Sequence, residues 1–485
     1  MIEYTFPNYI NLSWLYWILV TIYSLTIFGI IAVILSENRN PVKSLAWVTI
    51  LLLLPAAGLV LYVFFGRSIK NTHMISRRNR RRLRKNIPTI ITKDFNSESL
   101  TIESVQQINL TKSLNGSNYS SNNGIKIYTD GKSKFNDLKQ DIINASKYIY
   151  LQYYIFEDDT IGTEIKDLLI SKAKNGIKVR VMYDHVGSFQ VKNKFFKEMT
   201  NAGIMVHPFF RVSVPVFATR INWRNHRKIC IIDGKIGYIG GMNIADRYIN
   251  GGDFNTWRDT HLRVTGSIIS ALQYSYTVDW NFLKPTFDND DLKTNILANE
   301  NIGNIGMQLL TSGPTSQWNN IALVFLKAIS NAKHSILIQT PYFLPTESLL
   351  KALQSAALSN VKVYIMIPRH SDSSTLRYAS YSYISECIKS GIKFYLYDAG
   401  MLHSKTIIID EEFSSVGSTN FDFRSFEHNF ECNLFIYSQN INTKMREIFA
   451  EDLKHCTSIN KNTWAQRPIF QKVLESITRL LSPIL

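Results

Sequence analysis

Two long uncharged stretches near the amino terminus dominate the hydrophobic pattern of the chain. Trp14 to Leu35 and Leu45 to Phe65 carry no charged residue, and the polar stretch Ser36 to Ser44 separates them. About 20 apolar residues in a helix suffice to cross a bilayer core. The pattern therefore predicts a transmembrane hairpin over residues 1–66, with spans at about 14–35 and 45–65. Pro55 lies inside the second stretch, where membrane helices tolerate such a break. Two buried core helices are the alternative.

A strongly basic segment follows the second stretch. Nine Lys and Arg residues and no acidic residue lie between Gly66 and Thr92. Basic residues beside a span stay on the cytoplasmic side and attract anionic lipid. We therefore expect a cell-membrane protein with two spans and cytoplasmic catalytic lobes; a nucleic-acid-binding arm is the alternative for this segment. Residues 67–123, which end in the polar run Asn115 to Asn123, are predicted to be a basic juxtamembrane segment and a flexible linker.

Beyond this linker, apolar runs alternate with helical periodicity, and the same alternation occurs twice. The predicted elements, in the order strand, helix, strand, are Tyr148–Phe156, Ile161–Asn175 and Ile177–Tyr183, then Ile336–Phe343, Glu347–Leu358 and Val361–Pro368. This order predicts α/β lobes, the first over residues 124–300 and the second over 301–485. The second lobe ends in an amphipathic tail over 464–485, which packs either on the core or on a membrane surface.

A short polar motif also occurs twice, and it carries the candidate chemistry. Each copy reads H-x-K-x-x-x-x-D, followed by a Gly and an Asn, and every position recurs 177 residues later. The two sets are His226, Lys228, Asp233, Gly240 and Asn243, and His403, Lys405, Asp410, Gly417 and Asn420. Residues two apart in a strand face the same way, so each His projects together with its Lys. The small residues Gly240, Gly417 and Ser418 allow close approach of backbone or substrate.

The bulk composition limits the class of protein. A chain of 485 residues that is 45% hydrophobic and 12% aromatic predicts two core-forming units and argues against wholesale disorder. The net charge of +16 indicates an anionic partner: nucleic acid, phosphate or an acidic membrane surface. The four cysteines are scattered without a C-x-x-C pair, so neither a disulfide framework nor a zinc site is indicated.

The paired motifs favour phosphoryl chemistry that uses no metal or other cofactor. One imidazole can attack phosphorus and form a phosphohistidine, while the other protonates the departing alkoxide. The lysines neutralise phosphate oxygens, and Asn243 and Asn420 can donate further hydrogen bonds. Asp259 and Glu431 follow the two histidines by 33 and 28 residues. They are candidates to hold the second ring nitrogen of each histidine.

The doubled motif resembles the phospholipase D superfamily, and the flanking segments resemble its bacterial cardiolipin synthases over nearly the whole chain. These segments are Asn38–Pro41, Phe65–Arg67, Arg224–Lys228, Gly240–Asp246, Trp257–His261, Gly313–Pro314, Thr340–Pro345 and Leu480–Leu485. The resemblance implies two tandem phospholipase D-like lobes related by a pseudo-two-fold, with the site between them. It also implies condensation of two phosphatidylglycerols into cardiolipin and glycerol, with His226 as nucleophile and His403 as acid/base. Asp233 and Asp410 close the motifs and are expected to support their loops.

Two other functions remain open from the sequence. A membrane-tethered phosphodiesterase of the same superfamily would use the same residues, with water in place of the second lipid. A non-catalytic scaffold that binds anionic lipid would explain the basic segment but not two intact H-x-K pairs. Phosphatidylglycerol and anionic membrane lipid are the expected partners, and nucleic acid is not expected.

Overall fold

The computed structural model describes residues 13–36, 41–62, 100–211, 223–283 and 303–482. These residues form two compact units, one of residues 13–36 and 41–62 and the other of residues 100–211, 223–283 and 303–482. The predicted basic segment between Gly66 and Thr92 lies outside the described residues.

The amino-terminal unit contains one helix that is long and apolar enough to cross a membrane, among the residues described. This helix is α1 (Ser13–Ser36), and its apolar window runs from Trp14 to Ala32. The second apolar stretch forms two shorter helices, α2 (Pro41–Leu53) and α3 (Pro55–Leu61). They are interrupted at Leu54 because Pro55 has no backbone N–H to continue the helix. The predicted second span at 45–65 is therefore not one continuous helix over its described part.

A correction concerns the flexible linker predicted over residues 67–123. Residues Ile102–Asn115 form a helix, α4, which is capped by Thr101 and packs against the second lobe. The Glu412 carboxylate of that lobe accepts hydrogen bonds from the backbone and hydroxyl of Thr101 and from the Ser104 hydroxyl. The helix escaped prediction because its buried face is largely polar, consisting of Ser104, Gln107, Ile108 and Thr111. Such a face has no apolar periodicity.

The first lobe is a seven-stranded sheet with helices around it. Its elements are β1 (Asn123–Tyr128), α5 (Gly131–Ile143), β2 (Tyr148–Tyr153), α6 (Thr160–Lys174), β3 (Lys178–Asp184), α7 (Asn193–Asn201), β4 (Met205–Phe209), β5 (Ile229–Ile232), β6 (Ile236–Gly240), α8 (Arg247–Asn250), β7 (Trp257–Arg258), β8 (His261–Gly266) and α9 (Ile269–Leu283). The strands of the sheet occur in the order β1-β8-β6-β5-β2-β3-β4.

The second lobe is an eight-stranded sheet built in the same way. Its elements are β9 (Gly306–Ser312), α10 (Asn320–Asn331), β10 (Ser335–Gln339), β11 (Phe343–Leu344), α11 (Glu347–Leu358), β12 (Lys362–Pro368), α12 (Ser374–Lys389), β13 (Lys393–Tyr397), β14 (Met401–Leu402), β15 (Thr406–Ile409), β16 (Phe413–Gly417), β17 (Phe421–Asp422), α13 (Phe423–Glu427), β18 (Glu431–Tyr437), α14 (Gln439–Leu453), β19 (Cys456–Ser458), α15 (Lys461–Ala465) and α16 (Ile469–Leu481). The strands of the sheet occur in the order β9-β18-β16-β15-β10-β12-β13-β19.

The two lobes repeat one topology and share part of their core. Seven strands of the second sheet follow the order of the first, and β19 adds one strand at the far edge. The predicted strand–helix–strand order is confirmed in both lobes. The predicted strand Ile336–Phe343 is too long: β10 ends at Gln339, and Pro341 lacks the N–H needed to extend the ladder. One apolar cluster joins residues of both sheets, among them Ile229, Leu309, Ile408 and Leu434.

Candidate active site at the junction of the two lobes

Backbone hydrogen bonds between the lobes place each histidine. The His226 N–H donates to the Phe430 carbonyl at 2.9 Å, and the Phe430 N–H donates to the Arg224 carbonyl at 2.8 Å. The second copy has the same arrangement, with the His403 N–H donating to the Arg258 carbonyl at 2.7 Å. Phe430 and Arg258 each precede a candidate carboxylate. The polypeptide therefore holds each histidine beside the carboxylate of the opposite lobe.

Each imidazole is hydrogen-bonded to a carboxylate from the other half of the chain. His226 Nδ1 lies 3.0 Å from Glu431 Oε1, and His403 Nδ1 lies 2.7 Å from Asp259 Oδ2. Both carboxylates are fully buried, and both histidines are nearly so. An imidazole held at Nδ1 leaves Nε2 available for chemistry. Neither half-site is complete within its own lobe.

The two motif lysines lie behind the histidines. Lys228 Nζ donates to the His226 carbonyl at 2.6 Å, and Lys405 Nζ donates to the His403 carbonyl. Burial lowers the pKa of Lys228 to about 7 and that of Lys405 to about 8. Burial beside Lys405 lowers the pKa of His403 to about 4. Burial therefore favours the neutral forms of Lys228, Lys405 and His403.

The Glu431 carboxylate is kept ionised by its neighbours. Burial by itself would raise the pKa of Glu431, but His226 and Lys228 hold that pKa below its ordinary value. Burial also lowers the pKa of His226, which is therefore neutral at pH 7. Glu431 accepts further hydrogen bonds from the Ser418 hydroxyl and from the Asn429 amide. An imidazole beside a fixed carboxylate can act as a nucleophile, and His403 beside Asp259 has the same arrangement.

A cavity of about 250 Å³ opens onto both histidines and is lined by residues of both lobes. Aromatic rings flank each imidazole: Tyr154 lies 4.9 Å from His226, and Trp257 lies 5.5 Å from His403, measured between ring centroids. The cavity walls also carry the charged residues Arg224, Arg247, Asp372, Asp422 and Arg424. The walls therefore combine aromatic rings with three arginines and two carboxylates, and the arginines can bind an anionic phosphate.

The motif asparagines line this cavity. Asn243 accepts from the Ile155 N–H at 3.1 Å and donates to the Tyr248 hydroxyl at 2.8 Å. Asn420 donates to Asp422 at 3.0 Å, while its own Oδ1 is buried without a hydrogen-bond partner in the described part of the chain. Both side chains are thus held by fixed partners at the edge of the space that a phosphate would fill.

Gly240 and Gly417 must lack a side chain, because the backbone of the neighbouring strand lies close to each of them. A Cβ on Gly240 would lie 2.6 Å from the Thr260 carbonyl oxygen, and one on Gly417 would lie 2.4 Å from the Cys432 carbonyl oxygen. Gly241, the small residue that follows Gly240, lies directly beside the site. A Cβ there would lie 2.1 Å from the Asp259 carboxylate that holds His403.

Asp233 and Asp410 lie away from the cavity, at the far ends of β5 and β15. Asp233 accepts backbone hydrogen bonds from Ser146, Lys147 and Tyr148 at 2.7 to 2.9 Å. Asp410 does the same for residues 333–335 at 2.8 to 2.9 Å. The Asp233 carboxylate thereby fixes the turn that precedes β2, and the Asp410 carboxylate fixes the turn that precedes β10. Neither of them lines the cavity.

A buried ion pair lies behind each histidine–carboxylate pair and was not predicted from the sequence. Arg227 binds Asp279 at 2.6 Å and donates to the Glu431 carbonyl at 3.1 Å. Arg258 binds Asp452 at 2.8 and 2.9 Å and donates to the Asp259 carbonyl at 2.8 Å. A glutamine joins each pair, Gln152 at 2.5 Å from Asp279 and Gln339 at 2.7 Å from Asp452. The signal was present in the sequence, because the two glutamines occupy matching places near the ends of the repeated strands: Gln152 is the last but one residue of β2, and Gln339 is the last residue of β10.

The aromatic residues of the cavity were also missed as site residues. Tyr154 follows Gln152 by two residues, and Tyr342 follows Gln339 by three.

Within the described ranges, no cluster of three or more His, Cys, Asp or Glu side chains is arranged to hold a metal ion.

Comparison with known families agrees with this architecture. A family model described as cardiolipin synthase, PLD-like domain, matches residues 138–260 and 325–453. A model described as phospholipase D-nuclease N-terminal matches residues 24–67. The chain is 40% identical over 469 residues to the major cardiolipin synthase ClsA of Bacillus subtilis (strain 168), covering 95% of this chain and 97% of the relative.

Another relative and one solved structure extend the comparison. A cardiolipin synthase of Staphylococcus aureus (strain Mu50) is 39% identical, with 93% of each chain covered. The crystal structure of phosphatidylserine synthase from Haemophilus influenzae Rd KW20 shares the fold, with a TM-score of 0.60 at 15% identity, over 78% of this chain and all of that one. The chain belongs to the bacterial cardiolipin synthases of the phospholipase D superfamily, a family of membrane-anchored phosphatidyltransferases.

Proposed function

We propose that the protein transfers a phosphatidyl group from one phosphatidylglycerol to another, giving cardiolipin and glycerol. The observation that carries this proposal is the exchange of partners in the cavity: each histidine is held by the opposite lobe's carboxylate. This geometry supplies two imidazoles with free Nε2 atoms facing one space. Two-step transfer at phosphorus needs such a pair.

In the first step, His226 Nε2 attacks the phosphorus of the donor lipid. A P–N bond forms, the P–O bond to the glycerol headgroup breaks, and His403 gives its proton to the departing alkoxide. Glu431 stabilises the positive charge that develops on the His226 ring. Lys228, Lys405 and the amides of Asn243 and Asn420 balance the negative charge on the phosphoryl oxygens. Binding of the anionic phosphate raises the depressed pKa values of the lysines and of His403, so the acid regains its proton.

In the second step, the roles at His403 reverse. Its neutral imidazole takes the proton from a hydroxyl of the second phosphatidylglycerol, whose oxygen attacks phosphorus while the P–N bond breaks. Asp259 stabilises the imidazolium that results. Asp233 and Asp410 act through the turns they fix, because their carboxylates bind backbone N–H groups at the far ends of β5 and β15.

The membrane placement follows from the amino-terminal region. We infer two spans, α1 and the stretch 45–65, with the basic segment and the catalytic lobes on the cytoplasmic side. The long apolar helix supports membrane anchoring. The charge of the basic segment supports this orientation and attraction to anionic lipid.

Product analysis tests the reaction. Purified protein in vesicles of phosphatidylglycerol is expected to yield cardiolipin and glycerol in equal amounts, without added metal. His226→Ala and His403→Ala should each abolish both products, while Glu347→Gln, on the exposed surface of α11, should leave them unchanged. The same site with water as acceptor would make a phosphodiesterase. Phosphatidic acid as the only lipid product would therefore refute the transferase and establish the hydrolase.

A further inference from the structure

The carboxy-terminal helix α16 is turned with its apolar side away from the protein. Its large hydrophobic side chains are exposed, with Phe470 at 71%, Ile469 at 76% and Leu480 at 81% of full accessibility. Val473, Ile477 and Leu481 are exposed as well. Residues 470, 473, 477 and 480 recur at intervals of three and four, so they form one stripe along the helix. A helix at the surface of a soluble domain buries such a stripe; this one presents it outward.

Polar contacts hold the opposite side of α16 to the second lobe. Arg467 donates from Nε and Nη2 to the Glu475 carboxylate at 2.7 to 3.0 Å, and from Nη2 to the Ser385 hydroxyl of α12 at 3.2 Å. Arg479 binds Glu386 of α12 at 2.8 Å, and its guanidinium lies 4.3 Å from the ring centre of Tyr383. Glu475 and Thr478 are the buried residues of the helix. The outward direction of the apolar stripe is therefore fixed by specific bonds.

The surroundings of the stripe match an anionic lipid surface. The segment from Lys461 to Leu485 carries four basic residues and one acid, Glu475. Arg467 and Arg479 are paired with Glu475 and Glu386 on the inner side of the helix, which leaves Lys461 and Lys472 as the basic residues without an ion pair among the described residues. Basic residues beside an exposed apolar stripe are characteristic of helices that lie in the interface of a membrane. The helix α12, on which α16 packs, also reaches the active site. Leu376 in the first turn of α12 and Asp372, two residues before this helix, line the catalytic cavity.

We propose that α16 is an interfacial membrane-binding helix that lays its apolar stripe into the headgroup region of an anionic bilayer. At 13 residues it is about 20 Å long, and its side chains would enter the bilayer by about 5–10 Å. Through α12 it holds the mouth of the cavity against the surface that contains the lipid substrate. This role is separate from the two apolar stretches at the amino terminus, and it does not depend on whether water or lipid is the acceptor.

Site-specific fluorescence on the full-length chain tests this proposal. Leu480→Cys and, separately, Phe470→Cys are labelled with an environment-sensitive dye in a Cys456→Ser background, since the other three cysteines are buried. The protein is reconstituted into vesicles of phosphatidylglycerol and phosphatidylcholine. Leu358→Cys is the matched control, because Leu358 is 70% exposed and ends α11 of the same lobe. We expect doxyl-labelled lipid to quench positions 470 and 480 several-fold more than position 358, and iodide to do the reverse.

Two results would overturn the proposal. Iodide quenching at 470 and 480 equal to that at 358 would show that the stripe faces water. Shielding of both positions from lipid and from iodide would show that a second copy of the chain covers it. As a functional check, Phe470→Glu combined with Leu480→Glu is expected to slow turnover of vesicle lipid several-fold and to leave turnover of detergent-dispersed lipid unchanged. Equal turnover of vesicle lipid would count against the proposal, whichever product is formed.

Discussion

His226 and His403 depend on residues that are distant in sequence and lie in the other lobe. The repeated motif predicts the histidines, lysines and asparagines directly, because their spacing is preserved in both copies. The sequence left open which carboxylate serves which histidine. Glu431 lies 205 residues from His226, and Asp259 lies 144 residues from His403. Strand pairing between the lobes decides these partners, and no local pattern encodes it.

Burial gives the site a measurable response to pH. The pKa of Lys228 is lowered to about 7 and that of Lys405 to about 8. A bound anion raises both values, so binding takes up protons. The affinity for tungstate, which mimics phosphate, should therefore rise as pH falls from about 9 towards about 7, by up to about tenfold per unit for each proton. Calorimetry in buffers of different ionisation enthalpy counts these protons.

The control for this titration is Lys405→Met, which should lose part of the proton uptake. An affinity that stays constant over the same range would show that the lysines remain charged in the empty site. An affinity that weakens as pH falls would have the opposite sign to the one expected from buried lysines.

Individual elements show where hydrophobic pattern is a sufficient guide and where it is not. The strands beside the motifs are apolar and were predicted. The helix α4 was not, because it buries polar residues such as Gln107 against the second lobe. The buried acids Asp279 on α9 and Asp452 on α14 were not predicted either. Their importance depends on Arg227 and Arg258, which reach them from other elements.

The Arg258–Asp452 pair should be far more important for stability than a surface pair. Both side chains are at most 10% exposed. Removing one partner of such a buried pair costs about 3–5 kcal/mol. Arg258→Met should lower the free energy of unfolding by about that amount and should also slow turnover, because Arg258 holds the backbone of Asp259.

A matched surface pair provides the comparison. Lys126 binds Asp137 at 2.5 Å but is 58% exposed, so Lys126→Met should cost about 0–1 kcal/mol. Urea unfolding of the detergent-solubilised proteins measures both changes. Equal losses in the two variants would contradict a structural role for the buried pair.

At the scale of the whole molecule, the duplication was visible in the sequence and the interdependence of its halves was not. The two sheets repeat one strand order, as the repeated motif predicted. The lobes nevertheless exchange catalytic partners and share a core cluster. The helix α4 precedes the first lobe in sequence yet packs on the second. The two tandem copies therefore form a single unit around the cavity that both lobes line.

The most direct test of this account is trapping of the phosphoenzyme in two matched variants. The substrate is a phosphatidyl ester of 4-nitrophenol, a leaving group that needs no acid. Asp259→Asn impairs only His403, so this variant should release one equivalent of nitrophenol and keep the phosphatidyl group on His226. Glu431→Gln impairs His226, so it should show neither a burst of nitrophenol nor a covalent label. Mass spectrometry without acid locates the phosphatidyl group, because the P–N bond is acid-labile. A phosphatidyl group on His403, or the opposite response of the two variants, would contradict the exchanged pairing and the assignment of His226 as nucleophile.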